Sequence, residues 1–344
     1  MRKFSCSCGQ SLFFDSRQCV HCGAAVRFDR TTLDMVQVNP SGDHLVTDDG
    51  RIFYACDNQV EFNNCNWLRS ADLGPGLCFS CRFNQTIPNL AFPGNQQRWN
   101  KLEAGKRRLL YTLLALDLHI QPRIDHPHGL LFDFVEDART NPEHFGENIR
   151  NTGYAQGLIT VNVVEADDVA REEERLAANE QYRTVLGHMR HESGHYYYEL
   201  IPIALTDACT HLFGDGSIPY RAALDAYYAN GPSDHWREHH ISAYASAHPL
   251  EDWAETWGHY LHISDVLETA VSHQVIDASV ASSDIHTRID AWRELSIVLN
   301  ELNRSIGHGD AYPFVLNKAV AEKLAFVDQV VGEIRAGSPD SAVH

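Results

Sequence analysis

The chain has 344 residues, room for one large domain or two to three smaller ones, and its 44 % hydrophobic and 10 % aromatic content excludes a disordered chain. Acidic residues outnumber basic ones 46 to 28, and a formal charge of -18 argues against bulk binding of nucleic acid or of an anionic membrane. No apolar run approaches the ~20 residues of a membrane helix, and MRKFSCSCGQ has no apolar stretch behind its basic start, so a soluble cytoplasmic protein with reduced thiols is expected.

In chain order, residues 1–30 are turn-rich and marked by Cys6, Cys8, Cys19 and Cys22. Residues 31–50, with NPSGDH as a turn cluster, read as a connector. Residues 51–95 carry Cys56, Cys65, Cys78 and Cys81 and end in the linker-like IPNLAFPGN. In a reducing compartment such clusters are metal ligands, and four thiolates suit a closed structural zinc site that holds a segment too small for its own core. The Cys6–Cys8 spacing is one residue shorter than the usual knuckle, His21 is a substitute ligand for the first group, and Cys56 and Cys65 must be joined by a hairpin. Cys209, alone, reads as a small buried residue.

From about residue 96 the pattern changes to WNKLEAGKRRLLYTLLALDL, an amphipathic helix. Arg98, Lys101, Lys106, Arg107 and Arg108 there form the one dense positive cluster and a candidate basic patch. LLFDFVED alternates like a strand, and QGLITVNVVEA is a β-branched strand. A helical stretch follows from Asp167 to Ile201, with a break near Asn179. PLEDWAETWGHYLHI forms a further helix with Pro249 in its first turn, and residues 285–334 are mostly helical before a frayed tail. Strands followed by helices predict an α+β fold, largely helical with a small sheet. The expected organisation is a cysteine-rich region 1–95 (modules 1–30 and 51–95), a main domain 96–335 and a flexible tail 336–344.

The strongest chemical signal is His191-Glu192-Ser193-Gly194-His195. On a helix the two histidines lie on one face and can bind one metal, while Glu192 is placed to take a proton from a water on that metal. A catalytic zinc needs a third protein ligand and an open position. Tyr198 and Ile201 stand where the metzincin extension needs glycine and histidine, so that class is excluded. Glu251 and Glu255, four apart, can divide the roles of ligand and of hydrogen-bond partner to a ligand histidine. Asp207, Glu238, His239 and His240 are the other ligand candidates.

The stretches CNWL, LCFSCRFNQTIPNL, GLITVNVVEADD, YRTVLGHMRHESGHYYYELI, YASAHPLEDWAETWGHYLHI and NRSIGHGDAYPFVLN together resemble the bacterial family of "putative zinc-binding metallopeptidases" with an N-terminal zinc-ribbon domain. More broadly the chain is similar to gluzincins, whose third ligand is a glutamate. The resemblance implies a zincin-like domain preceded by four-cysteine zinc ribbons, and a hydrolase with one catalytic and up to two structural zinc ions. It assigns Glu251 as the ligand, Glu255 as its support and Tyr244, seven residues before Glu251, as a donor to the oxyanion. His248 and His259 lie near enough in sequence to share that task. The expected reaction is peptide hydrolysis with Glu192 as general base, acting on a peptide or protein lying along the strand Gly157–Asn162 as a sheet edge. The alternative is a protein-binding module in which the ribbons recognise a partner and the HExxH site is structural or inactive.

Overall fold

The computed structural model describes residues 1–146, 152–178 and 180–337. The break expected near Asn179 lies outside them, as does the expected tail from residue 338 onward. The chain divides into two compact units, Met1–Arg171 and Glu172–His344. The fold is mixed α+β, as expected, with the described strands all in the first unit.

In the first unit, β1 (Phe4–Ser5) and β2 (Ser11–Leu12) form a hairpin. An antiparallel meander follows, made of β3 (Val26–Asp29), β4 (Asp34–Ser41), β5 (His44–Thr47), β6 (Ile52–Ala55) and β7 (Leu68–Ser70). Residues 31–50 are therefore not a connector. They supply two central strands, and the NPSGDH cluster is the hairpin tip, with Gly42 at φ +66°. Val38 packs with Phe53 and Leu68 across the strands, a burial pattern too sparse in so polar a stretch to announce a strand.

A helix, α1 (Asp57–Phe62), joins β6 to β7, so a helical turn rather than a hairpin brings Cys56 to Cys65. The four-stranded sheet is ordered β10-β11-β9-β8, from β8 (Asn84–Thr86), β9 (Leu131–Val135), β10 (Gly153–Ala155) and β11 (Leu158–Asn162). Strand β11 pairs parallel with β9 and antiparallel with β10. Its main chain is committed on both sides, so the expected substrate edge at Gly157–Asn162 is an interior strand.

Helix α2 (Asn95–Ala115) buries Trp99, Leu102, Leu109, Leu110, Tyr111 and Leu113. The Tyr111 ring lies 5.4 Å from Phe14 and 6.0 Å from Phe28, which ties the helix to the cysteine-rich region. The compact unit that holds both runs on to Arg171. The basic cluster on α2 is not a patch. Lys106 and Arg107 are buried beside Glu103, Arg98 and Lys101 pair with Asp167 and Asp168, and Arg108 pairs with Asp15.

Helix α3 (Asp168–Ala177) runs across the division between the units. The second unit contains α4 (Val185–Tyr198), α5 (Thr206–Phe213), α6 (Tyr220–Asn230), α7 (Trp236–His239), α8 (Pro249–Ser272), α9 (Ile285–Ser305) and α10 (Lys318–Ala336). Its core is the α4–α8 pair. Tyr197 stacks on Trp257 at 4.4 Å, and Trp253 and Trp257 donate their indole N–H groups to Gly194 O (2.8 Å) and Ser193 Oγ (3.0 Å). A Cβ at Gly194 would lie 2.8 Å from the Ala254 Cα, so glycine lets the two helices approach. No helix among the described residues is long and apolar enough to cross a membrane.

Candidate metal centres and active site

Two four-cysteine clusters form in the first unit. In the first, the β1–β2 hairpin carries Cys6 and Cys8 around a turn closed by Gly9 N–H to Cys6 O (2.8 Å), with Gly9 at φ +86°. That turn is how the short spacing is accommodated. Sγ–Sγ distances of 3.6 Å (Cys6–Cys22) and 3.7 Å (Cys8–Cys19) lie beyond disulfide bonding. They match the about 3.75 Å expected of thiolates about 2.3 Å from a tetrahedral zinc. His21 is exposed and stands outside the cluster.

In the second cluster, Cys56, Cys65, Cys78 and Cys81 are all buried, with Cys65 Sγ 3.5 Å from Cys78 Sγ. The Trp67 and Cys78 amides donate to Cys65 Sγ (3.4 Å) and Cys56 Sγ (3.3 Å). These are the backbone donors that stabilise metal-bound thiolates. Cys209 is buried and belongs to neither cluster, as its isolation implied.

The third cluster lies in the second unit. Thr184 caps α4, its Oγ1 accepting from Gly187 N–H at 2.9 Å, and the helix carries His191, Glu192 and His195. His248 caps α8, which carries Glu251 and Glu255. Ligand atoms of His191, His195 and Glu251 gather within 4.8 Å of one another. His191 Nε2 is 3.0 Å from Glu251 Oε2, and His195 Nε2 is 3.6 Å from Glu251 Oε1. Donors about 2.0–2.1 Å from a tetrahedral zinc stand about 3.3 Å apart, so each histidine is at ligand spacing from one of the two Glu251 oxygens.

The chemistry of the donors fits as well. His191 lies between two carboxylates, with Nδ1 2.7 Å from Glu255 Oε1 and Nε2 3.0 Å from Glu251 Oε2, and, against burial, the two together hold its imidazole well above the usual histidine range. Glu251 Oε2 is buried, and its near neighbour is the His191 ring. A metal ion bound at Nε2 would take the place of the proton there and meet the same carboxylate.

The electrostatics follow from burial and from these contacts. Burial opposes the ionised Glu251 and Glu255, but His191 outweighs it and holds both carboxyls down at about 2. Burial lowers His195 to about 4, which leaves its imidazole neutral near pH 7. For Glu192, burial raises the carboxyl to about 7, with Glu251 adding to the rise and His191 opposing it. Its carboxylate has no hydrogen-bond partner among the described residues.

Tyr244 lies beside the cluster, its ring 5.9 Å from His191, and its hydroxyl has no partner among the described residues. The other candidates are elsewhere. Asp207 is exposed on α5, Glu238 pairs with His235, the His239 carbonyl accepts from Lys323, and His240 faces Asp252. His248 serves the α8 cap, and His259 is bonded to the Tyr312 hydroxyl at 2.9 Å. Two residues escaped the sequence reading. Ser242 donates to Glu255 Oε2 at 2.6 Å, and the Tyr220 hydroxyl donates to Glu251 Oε1 at 2.6 Å. No fixed spacing announces either one.

Comparison with known proteins agrees with this class of site. Residues 95–330 match the family described as "Putative zinc-binding metallo-peptidase", and residues 3–92 match a zinc-ribbon domain. The chain belongs to that metallopeptidase family. It is also 39 % identical, over 346 aligned positions covering 97 % of this chain and 96 % of the relative, to uncharacterized proteins of Mycobacterium tuberculosis and of Mycobacterium bovis. No solved structure matches the chain.

Proposed function

We propose that this protein is a zinc-dependent peptidase of the gluzincin type, with one catalytic zinc site and two structural four-cysteine sites. The observation that carries the reading is the convergence of His191, His195 and Glu251 beside an unpartnered, buried Glu192. His191, His195 and Glu251 would hold the ion. Zinc bound there supplies a Lewis acid and lowers the pKa of a bound water toward ~7.

Glu192 takes a proton from the attacking water as its oxygen bonds to the peptide carbon. As the C–N bond breaks, Glu192 returns that proton to the departing amine. The Tyr244 hydroxyl, free to donate, supports the oxyanion. Glu255, held by Ser242, fixes the His191 ring with Nε2 toward Glu251, the side on which an ion would be held. The substrate is a peptide or protein, and a reducing cytoplasm suits eight metal-binding thiols.

The test is Glu192→Gln on peptide substrates. Loss of hydrolysis with zinc retained supports the assignment, and full activity in a clean preparation removes it. A second reading, recognition of a protein partner through the first zinc ribbon, is favoured by Phe13 and Val20, which are 80 % and 89 % exposed beside that cluster. Partner binding of that kind would survive Glu192→Gln.

A further inference from the structure

We propose that Tyr220 is a positioning residue of the metal centre, one that restricts Glu251 to binding metal through a single oxygen. The inference rests on the His191–His195–Glu251 site proposed above, although not on peptide cleavage by it. The Tyr220 hydroxyl donates to Glu251 Oε1 at 2.6 Å, a charge-assisted bond of the strong class. Glu251 Oε2 is buried, receives no hydroxyl or amide and lies 3.0 Å from His191 Nε2, while Oε1, the oxygen that Tyr220 holds, stands farther off, 3.6 Å from His195 Nε2. The phenol therefore makes the two carboxylate oxygens unequal. One is held by a proton and the other is kept for the ion. A carboxylate bound through one oxygen leaves open the coordination position that water or substrate requires.

Core packing gives no reason for a tyrosine here. No residue of α6 is buried, and Tyr220 itself is 41 % exposed. What holds it is His248. The Nδ1 of that imidazole accepts from Leu250 N–H (3.0 Å) and so caps α8 one residue before Glu251. Nδ1 is thus unprotonated, and Nε2–H donates to Ile218 O (3.1 Å), two residues before Tyr220. The Tyr220 and His248 rings lie 5.0 Å apart, near perpendicular. A single imidazole therefore registers the start of α6 against the start of α8, and the phenol meets the carboxylate as a result.

The experiment uses full-length protein with both four-cysteine sites filled. The zinc ion that His195→Ala removes is titrated against a chelator in wild type, Tyr220→Phe and Tyr228→Phe, and the same site is then filled with Co2+ for its visible spectrum. Tyr220→Phe is expected to weaken zinc binding about 10–100-fold and to change the cobalt bands as Glu251 becomes free to bind through both oxygens. Tyr228→Phe, a neighbour on α6 with no bond to Glu251, is expected to match wild type. A Tyr220→Phe protein with wild-type affinity and spectrum overturns the role of Tyr220 and leaves the metal site standing. A wild-type protein with no ion that His195→Ala removes overturns the site itself, and this inference with it.

Discussion

Glu192 has a burial out of keeping with its lack of partners. A carboxylate in this position, pushed up to about 7, is matched to proton transfer near neutrality. Glu192→Gln keeps the shape and removes the basicity, so kcat should fall by about 10²–10⁴-fold while zinc per chain is unchanged. Steady-state assays paired with elemental analysis check both halves. Ser242 and Glu255 act one step further out. Ser242→Ala removes one of the two hydrogen bonds that orient the Glu255 carboxylate, and zinc affinity at the site should drop by up to about tenfold, read by chelator competition.

Helix packing sets the spacing of the site. Because Gly194 sits against Ala254, the helix of His191 and His195 and the helix of Glu251 lie close enough to bring the three side chains together. In Gly194→Ala the new methyl has nowhere to go, since the obstructing atoms include the Ala254 backbone. A loss of about 1–3 kcal/mol is expected by denaturant titration. In the first unit, the strand β3 ends on the buried Asp29. Its burial opposes ionisation, but the Thr31 amide and hydroxyl and the Arg51 guanidinium prevail and hold the carboxyl below its usual range. The folded pKa is the lower one, so the stabilisation is present above the unfolded value of about 3.9 and is lost as pH falls through the folded value. Asp29→Asn should cost about 1–3 kcal/mol at pH 7 and progressively less on acidification. Unfolding curves across that range measure the difference.

Among the described residues the candidate metal clusters are of two kinds. The four-cysteine clusters tie together short strands and turns, whereas the third cluster sits on helices packed around Trp253, Trp257 and Tyr197. Elemental analysis should find about three zinc ions per chain, falling to about two in His195→Ala with no loss of fold. Stripping the thiolate-bound ions with a strong chelator should instead unfold the region of residues 3–92, seen as new sites of limited proteolysis there.

The cysteine pairs, the HExxH spacing and the glutamates four apart were legible in the sequence because each is a local pattern. Ligands on one helical face, or on one tight turn, are set by chain geometry over a few residues. Helices α2, α4, α8 and the C-terminal pair α9 and α10 were legible for the same reason, whereas the short α1, α5 and α7 and the exposed α6 were not. Tertiary structure decided the rest. It made strands of residues 34–47, placed β11 in the interior of its sheet, and neutralised the basic cluster on α2 through Asp15, Glu103, Asp167 and Asp168. It also brought Tyr220 to Glu251 and Ser242 to Glu255. Pairings of this kind depend on where separate elements pack, and no sequence spacing encodes the distance across an interface that only folding creates.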